Sequence, residues 1–198
     1  PKIFEIGRGT GPTSIWERLS RFDVYLSQLN IGRNASSFGY GSLDLQDTEL
    51  VTDGITNIIR VPDITLGGTY HEWAYLYLPA GLTNITATNF TAWSRREMEI
   101  TFASNSVFNT LDVAKEWTMR AKANFFWTDG SDVRHYGFPP GGTSIRVGRG
   151  TGPGQRGTIT IGNFGGTYVG TSYMDFGTNI SQFEADVDVL TLGAQTGT

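Results

Sequence analysis

The sequence predicts an all-β protein, an antiparallel β-sandwich of jelly-roll type with about ten strands and at most one short helix near the N-terminus. Three observations predict it. The first is the stretch from Ala114 to Phe138. Trp117, Met119, Ala121, Ala123, Phe125 and Trp127 recur two apart, and Glu116, Thr118, Arg120, Lys122, Asn124 and Thr128 fill the other row. One face therefore belongs in a core and one in water. Thr128-Asp129-Gly130-Ser131 then turns the chain into Val133-Arg134-His135-Tyr136, a β-hairpin. The second is punctuation: 26 of 198 residues are glycine, in separated clusters without a collagen period. The third is the closing segment Gln182 to Leu192, where Phe183, Ala185, Val187 and Val189 alternate with Glu184, Asp186 and Asp188.

Taken in order, Lys2 to Ile6 reads as a short strand. Ser14 three residues before Glu17 forms a capping box, which predicts a short helix over Thr13 to Arg21. Phe22, Val24 and Leu26 follow strand period, although Trp16, Leu19, Phe22, Leu26 and Leu29 also share helical spacing. Asn30 to Gly41 reads as loop, and Asp53-Gly54 as a turn before a strand over Ile55 to Val61. Tyr70 to Leu78 carries Trp73, Tyr75 and Tyr77 on one row and Ala74, Leu76 and Leu78 on the other. Apolar on both faces, it reads as a central strand covered twice. Leu82 to Trp93, Glu97 to Ala103, Ser144 to Val147, Thr158 to Ile161, Thr167 to Val169 and Tyr173 to Phe176 complete the set. Residues 1–198 are expected to form one sandwich domain.

Composition narrows the function classes. A chain of this length buries a core without staples, and the absence of cysteine removes disulfides and thiolate metal sites. With net charge −4 and no basic run, nucleic acid is not an expected partner. No apolar run approaches the ~20 residues of a membrane helix, so membrane insertion is not expected. The chain opens at Pro1 rather than Met, which reads as a processed or trimmed end. Only Lys2, Lys115 and Lys122 are lysines, and an Arg-rich, aromatic chain matches interface composition.

The hexapeptide Gly7 to Pro12 recurs letter for letter as Gly148 to Pro153, each copy after a β-branched residue. Open amides and one forked donor per copy, Arg8 and Arg149, suit a subunit contact; two similar turns are the simpler account. The second copy runs into a glycine pattern that matches a dinucleotide fingerprint by letter, but a strand follows where that motif requires a helix. His71 and His135 have no metal-ligand spacing, and no nucleophile elbow is present. Glu97 and Glu99, like Glu184, Asp186 and Asp188, share one strand face, as a solvated face requires. Asp186 with Asp188, or Asp129 with Asp132, would offer calcium only a weak site. Asn34, Asn84, Asn89 and Asn179 head sequons that matter only in a glycosylating host.

The expectation is accordingly a non-enzymatic structural subunit of a virion, phage capsid or tail, or an extracellular filament, with no cofactor and no metal. Its expected partners are copies of itself or other structural subunits, and its expected location is a virion or the extracellular space. Such a chain is similar in class to viral and phage structural β-domains, a likeness of composition alone. The alternative is a glycan- or receptor-binding module. Its contact residues would be those at the hairpin tip, Trp127, Asp129, Asp132, Arg134, His135 and Tyr136, where aromatic faces meet planar polar groups.

Overall fold

The computed structural model describes residues 2–6, 12–15, 20–32, 39–67, 72–131, 133–148, 156–164 and 177–196. Every described element is a strand, and all but two of the strand pairings are parallel. β1 (Ile3–Ile6) lies along β4 (Gln28–Ile31), β4 along β9 (Asp63–Gly67), and β9 along the middle of β11 (Asn84–Phe102). The same row continues through the middle of β12 (Thr110–Thr128) to β15 (Gly157–Phe164) and β17 (Val187–Thr196). This is the first face of a coil.

A second face is built from the next segment of each turn. β2 (Pro12–Ile15), β5 (Gly39–Asp44) and β10 (Glu72–Leu78) run parallel and are followed by the ends of β11 and β12. β13 (Arg134–Tyr136) closes that face antiparallel to β12. On the third face, β3 (Arg21–Val24) pairs with β6 (Glu49–Thr52). β6 turns at Asp53-Gly54, both left-handed, into β7 (Ile55–Thr56), as an Asp-Gly hairpin turn requires. β8 (Ile58–Arg60), the starts of β11 and β12, β14 (Thr143–Val147) and β16 (Ile180–Ala185) continue it. Between β6 and β8 the link is a side chain: Thr52 Oγ1 donates to the Ile58 carbonyl and accepts from the Arg60 amide.

The chain is thus a parallel β-solenoid whose described strands fall on three faces, with one strand of a turn on each face in the earlier coils. The expected antiparallel jelly-roll sandwich is corrected: among the described residues only the β12–β13 and β6–β7 pairings are antiparallel. The physical reason lies in the alternation. A sheet with one face inside and one outside alternates apolar and polar whether its neighbours run parallel or not. Strand direction leaves no mark on that pattern.

Register makes the core a set of columns. On the first face Phe4, Leu29, Ile64, Phe90, Trp117, Ile159 and Leu190 stand one above another. All but the two end members are buried, and each fully buried side chain of this size contributes about 1.5–3 kcal/mol. On the second face Leu43, Leu76, Ile100 and Phe125 do the same. On the third face the column is Ile59, Ile85, Leu111, Ile145 and Phe183. Phe102, Phe108, Phe125 and Phe138 fill the interior between faces, with Phe125 and Phe138 stacked at 4.5 Å. Outside, Thr65, Thr91, Thr118, Thr160 and Thr191 form a ladder on the first face.

Several local expectations change with the architecture. The long strand through Trp117 and Trp127 exists, but it passes two corners and serves three faces. Its register with β11 slips between Ala87 and Asn89 and again between Trp93 and Glu97, where the two turns carry unequal corners. The predicted helix over Thr13 to Arg21 is absent where described, because Thr13 to Ile15 pairs with β5; residues 16–19 lie outside the described set. Leu29 belongs to β4 and not to a helix, and the expected loop from Asn30 to Gly41 contains the ends of β4 and β5. The final segment breaks at Asp186 into β16 and β17, so Val189 joins Thr158 on the outer row while Leu190 and Leu192 turn inward. Thr167 to Val169 and Tyr173 to Phe176 lie outside the described residues.

Candidate functional site: the aromatic outer face

β10 supplies the centre of the site. Ala74, Leu76 and Leu78 go inside, which leaves Trp73, Tyr75 and Tyr77 on the outer row, each half-buried. The expectation that this strand is covered twice is corrected by that exposure: its second apolar row is a surface. Register then assembles a patch across the coils. Ser42, Tyr75 and Glu99 form one outer column, and Asp44, Tyr77, Thr101, Phe126 and Tyr136 form the next. Columns two residues apart on a strand lie ~7 Å apart, and neighbouring strands ~4.8 Å. The result is a flat, ring-paved strip that runs along the solenoid axis.

Ring contacts knit the strip together. Tyr40 and Tyr75 lie 5.4 Å apart, and Phe126 meets Tyr136 edge-on at 5.5 Å. Polar groups are set among the rings. Arg134 Nη2 donates to Glu99 Oε2 at 2.6 Å, and its guanidinium carbon sits 3.5 Å from the centre of Phe126. The Tyr77 phenol is pushed up from its ordinary value, first by burial and then by the charges of Glu99 and the neighbouring groups. Beneath the rings, the Ser42 and Thr101 hydroxyls are buried, at 0% and 3% residue exposure, without a hydrogen-bond partner among the described residues. Buried hydroxyls are ordinarily paired, so these two are acceptors and donors in reserve.

The hairpin-tip residues divide between two sides of this sheet. Arg134 and Tyr136 stand on the outer row with Phe126. Trp127 and His135 pair directly on the opposite side, their rings stacked at 4.3 Å, and Trp127 packs against the core. Asp129 ties the turn. Its Oδ1 accepts from the Ser131 amide, the Ser131 hydroxyl and the Val133 amide, and its Oδ2 accepts from His135 Nε2 at 2.8 Å. These bonds, His135 first, hold the Asp129 carboxyl well below the usual carboxylate range. Asp132 lies outside the described residues, as do Arg8 and Arg149.

Sequence reasoning did not select Tyr40, Tyr75, Tyr77, Glu99 or Phe126 as site residues. The signal was present in the alternation of aromatic and aliphatic residues along β10, which separates two faces of different chemistry. Only pairing register shows that Glu99 and Phe126 join them.

Other candidate groups have structural partners. Arg156 reaches Asp186 at 3.1 Å and Asp188 at 3.9 Å, so the two carboxylates share one guanidinium. Among the described residues no group of three or more His, Asp or Glu could hold a metal ion. Gly148, the first residue of the repeated hexapeptide's second copy, turns a corner with φ +78 and donates to the Val113 carbonyl. Among the described residues no helix is long and apolar enough to cross a membrane. Comparison with family models, with curated proteins and with solved structures finds no match to this chain.

Proposed function

We propose that this chain is a saccharide-binding module, a β-solenoid that takes an extended glycan along its aromatic outer face. The observation that carries the reading is the strip of Tyr40, Tyr75, Tyr77, Phe126 and Tyr136, in register across successive coils and interleaved with Glu99, Arg134 and Asp44. A pyranose ring offers an apolar C–H face and a rim of hydroxyls. Aromatic faces take the first and planar charged groups the second. The reading assigns binding and no reaction, and it places the module outside a cell or on a particle, where glycans are met.

The test is a glycan array followed by calorimetry on wild type, Tyr75→Ala and Phe126→Ala. Each variant should weaken binding about tenfold or more, since ring contacts of this kind are worth ~0.5–1.5 kcal/mol beyond their buried area. Unchanged affinity in both variants would sink the proposal.

A second reading, a structural subunit that assembles with its own copies, is favoured by the last coil. β16 and β17 each pair on one side only, and Phe183, Leu190 and Leu192 point into a core column with no coil beyond them among the described residues. Leu190 is 58% exposed and Leu192 66%. Large exposed apolar groups beside an open edge suit addition of further strands. β1, at the other end, also pairs on one side only. Light scattering across a concentration series tests this reading, and a monomer at every concentration would count against it.

A further inference from the structure

Resting on the saccharide reading, we infer that the aromatic face selects uncharged glycans over anionic ones, and that Glu99 is the residue that sets the choice. The geometry of one ion pair carries this. The Glu99 side chain is 12% exposed and Arg134 42%, so the carboxylate lies beneath and the guanidinium above it. Arg134 is held on two sides, by Glu99 at 2.6 Å and by the Phe126 ring at 3.5 Å. Its charge is already neutralised at short range, while its remaining N–H groups still face outward. What it offers a ligand is a fixed fork of hydrogen-bond donors rather than a free cation.

An anionic ligand meets two costs here. To pair with Arg134 it must compete with Glu99 for the one guanidinium, which weakens the bond that holds a mostly buried carboxylate. It must also lie along a strip that carries a second carboxylate, Asp44, which stands in the Tyr77 column two strands away from Glu99, and like charges repel. A neutral sugar meets neither cost. Its hydroxyls accept from Arg134, whose side chain is 42% exposed.

The experiment compares unbranched neutral oligosaccharides with the same chains oxidised at the primary alcohol to uronates, at low salt, by calorimetry. Wild type should bind the neutral form about tenfold or more tightly than the uronate, a preference of ~1.4 kcal/mol. Glu99→Gln frees the guanidinium, so the preference should shrink or reverse and uronate binding should rise. Arg134→Gln removes the forked donor and leaves Glu99 without its ion-pair partner, so it should weaken neutral binding and still disfavour uronates. Circular dichroism confirms that both variants remain folded. Equal or tighter uronate binding by wild type, or an unchanged preference in folded Glu99→Gln, overturns the inference and leaves saccharide binding standing. No binding of either form overturns both.

Discussion

Trp117 rests on Phe90 inside the solenoid, in register and with ring centroids 5.6 Å apart. The pair couples two coils through their largest buried side chains. Trp117→Ala should therefore cost about 3–5 kcal/mol, because the rigid columns above and below collapse little into the space. Urea unfolding followed by far-ultraviolet circular dichroism measures it. A loss under ~1 kcal/mol would mean the column does not bear on stability.

Gly148→Ala should destabilise by about 2–4 kcal/mol, the sum of a left-handed backbone penalty and a steric overlap. An added Cβ would strike the Asp186 carbonyl of the next coil. Substitution at Gly130, whose Cβ position meets open space, is the control and should be nearly neutral.

Acid should loosen the β12–β13 hairpin before it unfolds the coils. The folded-state pKa of Asp129 lies below the ordinary ~3.9, so its network stabilises the hairpin fully above that value. The contribution disappears as pH falls from ~4 toward the native pKa. Tryptophan fluorescence should report it, since Trp127 stacks on His135. Asp129→Asn should flatten the profile in that window, and superimposable profiles would exclude the network as its source.

At the alkaline end, Tyr77 should ionise later than an ordinary tyrosine. Burial is the main cause, and Glu99 comes next. Because the folded pKa is the higher one, the stability linked to this phenol is intact below pH ~10 and is lost as pH rises through the folded value. Near-ultraviolet absorbance should show one late phenolate step that Tyr77→Phe removes and Glu99→Gln moves to lower pH. A step that persists in Tyr77→Phe would assign it to another tyrosine.

The double variant Leu190→Ser, Leu192→Ser should leave the unfolding midpoint within ~1 kcal/mol of wild type, because both side chains are already mostly in water. If the last coil joins copies, the same change should abolish concentration-dependent scattering. Scattering that persists undiminished would place the contact elsewhere.

Much of the strand content was legible in the sequence, and so was the burial of Trp117 and Phe125. Alternation reports which side chains point inward, and it did so at Trp117 and Phe125, although Thr118 on the polar row is buried as well. The winding was not legible. Successive turns pair at unequal distances along the chain, Asn84 with Thr110 but Trp117 with Ile159, so no fixed period appears in the letters. The columns keep polarity and size without keeping identity. The hairpin at Asp129 was readable because turn chemistry is local, whereas the neighbourhood of Glu99, Phe126 and Tyr77 depends on pairing across coils. A corner such as Asp186 also defeats simple alternation, which is why Val189 was placed on the wrong side.

The coil has a consequence for how the molecule comes apart. Among the described residues each turn pairs with the turn before and the turn after, so stability accrues interface by interface along one axis. Once one pair of turns has formed, each further turn closes its loop onto a finished template, and the unequal loop lengths matter little because closure entropy grows only with the logarithm of length. Amide exchange should then be fastest in β16 and β17 and slowest around Phe90 and Trp117, a gradient rather than one cooperative block. A ligand lying along the strip from Tyr40 to Tyr136 would bridge several turns at once. It would act as a splint, slowing the loss of turns it never touches.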